Sequence, residues 1–162
     1  MKIHNKLLLA SDLLVESAKI YRSAIVNVDF AKSILLAGAV SGIIEPLLRE
    51  KEIKTSTVEF AESATSLSGV KLTDLSQKDK ERQLGKFLRL SKFSYNSLKH
   101  AGKKDVIDAI NDLDFEADLK EEAYWIIDHA ITDFSKIPFT IYAVNELLSD
   151  EFRTLMGTPW VE

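Results

Sequence analysis

The stretch Gln83 to Gly102, QLGKFLRLSKFSYNSLKHAG, decides how the rest of the chain is interpreted. Its polar and apolar residues recur with the period of an α-helix, about 3.6 residues per turn. One line down that helix is mainly cationic and polar: Arg82, Lys86, Arg89, Phe93, Asn96 and His100. The opposite side carries the residues that we expect to be buried: Leu84, Phe87, Leu88, Ser91, Tyr95 and Leu98. The pattern predicts one amphipathic helix over 77–100, capped by Ser76 and ended by Gly102.

Charge is distributed very unevenly along the chain, although the net charge is only −4. Residues 1–77 are neutral overall. Residues 78–104, called the basic segment below, contain nine Lys or Arg and two Asp or Glu. Residues 105–162 contain three basic and fourteen acidic residues. The basic segment suits a phosphate-binding face. It equally suits docking against the acidic part of the same fold, or simple solvation.

The remaining periodicity predicts further helices. We place them at 3–27, from Asp29 through Leu48, at 56–67, at 116–136 and at 139–148. Asp29, Ser56 and Asp114 resemble N-caps, and Gly69 suits the position just after a helix. Residues 103–113 fit either a short helix or an extended segment. The prediction is an all-α bundle of five to six helices, forming one domain that spans the 162 residues.

The second predicted helix contains an unusually small stretch, AGAVSG, at Ala37 to Gly42. Each glycine inside a helix costs about 1 kcal/mol relative to alanine. We therefore expect a neighbouring helix to approach the backbone closely here. Pro46 is expected to kink or restart the helix near Glu45.

Several classes of chemistry are disfavoured by composition. The chain has no cysteine, which removes disulfides, thiolate metal sites and thiol nucleophiles. We find no phosphate-binding glycine loop and no zinc-type histidine pair, and we expect no metal and no cofactor. The longest apolar run, Ile34 to Ile44, is shorter than the roughly 20 residues that span a bilayer. With no signal-peptide core near the N-terminus, a cytoplasmic location is expected.

His100 is the strongest candidate for chemistry. It follows Asn96 by one helical turn and is surrounded by Lys99, Lys103 and Lys104. A histidine exchanges protons near neutral pH, and the cations can stabilise charge on a phosphodiester. The alternative is a helix-end histidine that only complements the helix dipole.

Trp125 and His129 form a second group on the polar side of the predicted helix 116–136. Because amphipathic aromatic residues are enriched at interfaces, we interpret Trp125 as a contact with a partner or a second subunit. The alternative is that the C-terminal tail covers it.

The sequence Tyr-Asn-Ser-Leu-Lys-His, Tyr95 to His100, late in a basic helix of a small all-α protein, resembles the motif region of HEPN-like proteins. ILLAGA (Ile34 to Ala39) and DHAITDF (Asp128 to Phe134) are also similar to that group. The resemblance implies a helical bundle, commonly a homodimer, whose motifs face a shared cleft. Many HEPN-like proteins are metal-independent ribonucleases of toxin–antitoxin, CRISPR or phage-defence systems, and others are non-catalytic binding modules.

The motif implied by the resemblance is an arginine, a polar residue and, a few positions later, a histidine. Asn96 and His100 match the last two, whereas Tyr95 occupies the arginine position. Tyrosine cannot replace the bidentate charge of arginine.

Two hypotheses follow from the resemblance. In the first, His100 is the acid or base, Asn96 positions the RNA, and Arg82, Lys86, Arg89, Lys99, Lys103 and Lys104 hold phosphates. In the second, the protein is a non-catalytic interaction or dimerisation module, in which Trp125 and His129 contact the partner. The basic stripe of the predicted helix then meets an acidic protein surface, and Asn96 and His100 are structural.

Overall fold

The computed structural model describes residues 3–100, 114–139, 142 and 144–161, and every regular element within these ranges is helical. The helices are α1 (Lys6–Ser23), α2 (Asn27–Glu50), α3 (Ser56–Leu67), α4 (Gln77–Leu90), α5 (Phe93–Lys99), α6 (Leu119–Ser135) and α7 (Asp150–Gly157). Single 3-10 turns lie at Leu72–Asp74 and Asn145–Leu147. The predicted all-α class is confirmed. The predictions for Gly102 and 103–113 lie outside the described residues.

Helix α2 is the centre of the bundle, because it packs against α1, α5 and α6. Helices α1 and α2 form an antiparallel hairpin. Ser17 and Ser33 lie opposite each other in this hairpin. The Ser17 hydroxyl donates to the Ser33 carbonyl at 2.8 Å, and the Ser33 hydroxyl donates to the Ser17 carbonyl at 3.2 Å. The same core includes fully buried residues of α6 and α7, notably Phe134 and Phe152, whose ring centroids are 4.7 Å apart.

Side chains cap five of the seven described α-helices, though not always at the predicted residue, and α2 and α5 begin without a side-chain cap. The hydroxyl of Ser76 accepts from the backbone N–H of Asp79, as predicted. Gly69 has a φ of 82° directly after α3, the left-handed conformation expected there. Three predicted caps, Asp29, Ser56 and Asp114, are wrong. Helix α2 begins after Val26, and Thr55 rather than Ser56 caps α3. Asp118 caps α6, where its carboxylate accepts two backbone N–H bonds of 3.1 Å.

The predicted continuous helix over 77–100 is wrong. The chain leaves the helical path at Ser91 and Lys92, so that α4 and α5 are separate helices. Helix α4 packs on α3, whereas α5 packs on α2. Lys92 fixes the change of direction, because its ammonium lies 2.6 and 2.7 Å from the two carboxylate oxygens of Glu45 in α2. The two halves of the basic segment therefore do not share one helical face.

The C-terminal region also differs from the prediction. Instead of a helix at 139–148, a 3-10 turn precedes α7, which Ser149 caps by accepting from the N–H of Phe152. Residues 140, 141 and 143 lie outside the described residues. Trp160 is buried after α7, and its ring stacks on Tyr124 at a centroid distance of 5.2 Å. Helix α1 ends at Ser23, four residues before the predicted end at residue 27, and Ile25 is exposed.

Helix α2 continues through Pro46 to Glu50, so the predicted restart is wrong. By length and mean hydropathy, 1.5, α2 alone among the described helices could cross a membrane. A buried core helix has the same composition, and α2 buries Ile34, Val40 and Ile44 against its neighbours.

The group that approaches the small stretch of α2 most closely at Gly38 is a side chain and not another backbone. A Cβ atom added at Gly38 would lie 2.2 Å from the ring of Tyr95 in α5. At Gly42 nothing lies within 4 Å of such an atom. The close approach predicted for this stretch thus exists at Gly38, and it seats α5 on α2.

Replacing Gly38 by alanine should lower the free energy of unfolding by about 1–2 kcal/mol, because the clash with Tyr95 exceeds the gain in helix propensity. Gly42→Ala is the matched control in the same helix and should stabilise by up to ~1 kcal/mol. Urea unfolding followed by circular dichroism measures both. Equal stabilisation by the two variants would contradict the Tyr95–Gly38 contact.

Candidate functional site

A row of four cations runs along the solvent side of α4. The members of this cationic row recur every three or four residues and are all exposed: Lys78, Arg82, Lys86 and Arg89. None forms an ion pair with a carboxylate of the described residues. Asp79 and Glu81 are engaged elsewhere, with the hydroxyl of Ser76 at 2.6 Å and the amide of Gln77 at 2.9 Å. Helix α4 thus presents concentrated positive charge to solvent.

The predicted catalytic residues are only partly brought together. Asn96 and His100 are exposed on one turn at the end of α5, where the N–H of His100 donates to the carbonyl of Asn96 at 2.9 Å. Tyr95 is half-buried, with its ring against Gly38 and the ammonium of Lys99 5.4 Å from its centroid. The side chain in the motif's arginine position therefore packs on α2.

The predicted phosphate ligands divide between two helices. Arg82, Lys86 and Arg89 lie on α4, and Lys99 lies on α5 beyond the change of direction. Their predicted alignment with Asn96 and His100 along one helix is wrong. Lys103 and Lys104 lie outside the described residues.

A groove of about 370 Å³ opens between α3, α4 and α6. We call it the aromatic groove, and its lining residues are Phe60, Phe87, Leu90, Ser91, Glu122, Trp125, Ile126 and His129. The rings of Phe60, Trp125 and His129 lie within 6.0–6.5 Å of one another. Trp125 is 45% exposed and Phe60 is 47% exposed. The groove is thus an open aromatic surface rather than part of the core.

Trp125 is exposed, as expected for an interface residue. The alternative, coverage by the C-terminal tail, is wrong, since Trp160 stacks on Tyr124 instead. The indole N–H of Trp125 donates to Glu121 at 2.7 Å, which fixes the ring. Phe87 was predicted to be buried, because helical phase alone does not distinguish a groove wall from a core position. Phe60 and Leu90, which also line the groove, were given no role from the sequence.

A buried polar contact joins two walls of the groove. The carboxylate of Asp133 in α6 accepts from the backbone N–H of Ser56 at 2.6 Å, and the Ser56 hydroxyl donates to the carbonyl of His129 at 3.2 Å. Burial raises the pKa of Asp133, against the opposing effects of the Ser56 hydrogen bonds and of Lys136. Among the described residues no group of three His, Cys, Asp or Glu side chains could hold a metal ion.

Comparison with known protein families, curated proteins and solved structures finds no match to this chain. The HEPN resemblance accordingly rests on the quoted residues.

Burial lowers the pKa of His129 below its usual 6.5, although Asp128 and Asp133 act in the opposite direction. At pH values between the lowered pKa of His129 in the folded chain and its usual pKa of 6.5 in the unfolded chain, the unfolded chain binds more protons than the folded chain. Stability contributed by neutral His129 should therefore be lost as pH falls through that window. Titration of the imidazole by NMR checks the shift, and His129→Asn should reduce the loss of stability on acidification. A pKa at or above 6.5 would show that Asp128 and Asp133 outweigh the effect of burial on this ring.

Proposed function

We propose that this protein binds RNA through the cationic row of α4. The observation that supports the proposal is a line of four exposed cations without carboxylate partners among the described residues. From Lys78 to Arg89 the row extends about 16 Å along the helix. A nucleic-acid backbone presents a repeating negative charge over such a distance, and binding releases its counterions.

The HEPN resemblance favours the same ligand. On that resemblance we also propose that the chain is a HEPN-like protein of a bacterial or phage defence system or of a toxin–antitoxin system, and that it acts in the cytoplasm. RNA binding requires neither a metal nor a cofactor. The resemblance also implies a homodimer. Contact of Trp125 and His129 with a second subunit belongs to the alternative hypothesis, the non-catalytic interaction module.

Binding without cleavage is the better-supported form of the proposal. An arginine at the Tyr95 position would supply the bidentate phosphate contact, but tyrosine offers one hydroxyl and packs against Gly38. Arg89 belongs to α4 rather than α5, so it does not extend the turn of Asn96 and His100. His100 thus keeps an acid–base group and Asn96 a positioning amide, without the arginine charge that would stabilise the transition state.

Reversing two charges of the row, Arg82→Glu with Lys86→Glu, should weaken RNA binding by about tenfold or more at moderate salt. The slope of log K against log salt should become shallower by about 1.4, since two phosphate contacts are lost. The control is Lys6→Glu with Lys32→Glu, which makes the same change in net charge on exposed positions of α1 and α2. Fluorescence anisotropy with labelled RNA measures both. Equal losses for the two pairs would mean that net charge, and not the row, determines binding.

Incubation of labelled RNA in EDTA should give no cleavage that depends on His100, since the arginine position is tyrosine. Wild type is compared with His100→Ala at equal concentration. Metal-independent cleavage that disappears in the variant would establish a ribonuclease and would show that another cation compensates for Tyr95.

A further inference from the structure

We infer that the aromatic groove holds an unpaired nucleobase of RNA bound along the cationic row, so that the ligand is single-stranded and its base in the groove carries an amino group. This inference rests on the proposed function. It adds the form of RNA that is bound and the chemistry of one base contact.

The cationic row and the groove meet in the last turn of α4. Lys86 is followed by Phe87, and Arg89 is followed by Leu90. The cations are exposed, while Phe87 and Leu90 line the groove. A strand whose phosphates contact Lys86 and Arg89 therefore runs along the rim of the groove. Its bases reach the groove only if they are not paired and stacked in a duplex.

The groove offers rings on which a base can stack. Trp125 and Phe60 are about half exposed, with centroids 6.5 Å apart and planes inclined by 38°. They do not stack face to face, so π surface remains open. Trp125 is held by its bond to Glu121 and by the edge of Tyr124 at 5.4 Å. A ring fixed before binding loses little conformational freedom on stacking.

Glu122 determines which bases fit. It is the only acidic side chain that lines the described groove, and its carboxylate accepts hydrogen bonds but donates none. Cytosine and adenine present an exocyclic amino group to such a carboxylate. Uracil presents a single N3–H donor at that edge, flanked by two carbonyl oxygens that a carboxylate repels. The groove should therefore prefer cytosine or adenine to uracil.

Tryptophan fluorescence tests the contact directly, because the chain has two tryptophans and one of them, Trp160, is buried. In a Trp160→Phe variant, short oligo(C) and oligo(A) should quench the emission of Trp125, with weaker quenching by oligo(U) and by an RNA duplex at the same salt. If loss of Trp160 impairs folding, the difference between wild type and Trp125→Phe isolates the same signal.

Variants separate stacking from charge. Phe60→Ala and Trp125→Ala should each weaken binding of oligo(C) by about tenfold and leave duplex binding unchanged. Leu67→Ala is the matched control, since Leu67 is an exposed apolar residue of α3 outside the groove lining. Glu122→Gln should reduce the preference for oligo(C) over oligo(U) without lowering overall affinity, because an amide both accepts and donates.

The outcomes distinguish the two proposals. Salt-dependent RNA binding without quenching of Trp125, or with equal losses for single strands and duplex, would overturn the groove inference and leave the proposed function intact. No salt-dependent RNA binding would overturn both. Self-association that Trp125→Ala abolishes, with RNA binding unaffected, would assign the groove to a second copy of the chain and overturn the inference.

Discussion

The contact between the ring of Tyr95 and Gly38 constrains much of the molecule. It requires a residue without a Cβ atom in the middle of α2, where glycine otherwise weakens the helix. Because α5 is seated there, and Lys92 pairs with Glu45 on the same helix, the chain cannot continue the path of α4. These two contacts together explain a helix break that contains neither glycine nor proline. The contact with Gly38 also explains why the arginine position of the HEPN-like motif faces the bundle.

The groove depends on a second, polar constraint. Asp133 accepts the N–H of Ser56, one of the donors at the start of α3 that have no partner within the helix. A neighbouring helix thereby supplements the cap that Thr55 provides. The bond is buried, so its loss would leave an unpaired donor and acceptor, which is costly. It sets the spacing of α3 and α6, and with it the distance between Phe60 and Trp125.

The sequence was sufficient for features that depend on local patterns. The all-α class and the approximate extents of α1, α3 and α6 follow from apolar periodicity, and Ser76 and Gly69 act as their residue types predict. The break at Ser91 and Lys92 was missed because helical phase continues through it, while the forces that create it come from α2. The groove was missed for a related reason. Phe87 has the spacing of a core residue, and only the arrangement of three helices leaves it at the wall of a groove.

The exposed position of the groove has an energetic consequence. Each apolar side chain left in water forgoes about 25 cal/mol for every Å² that burial would have removed. This cost applies to three exposed side chains on one side of the molecule, Phe60, Leu90 and Trp125. They lie next to α4, whose cations lack carboxylate partners among the described residues. A purely apolar partner would cover the rings but would bring no charge to the cationic row. A single-stranded nucleic acid can cover the rings and also pair with the cationic row, because each nucleotide joins a flat aromatic face to a negative charge. The pairing of these two surfaces on α4, rather than either one alone, is what favours a single-stranded nucleic acid as the ligand.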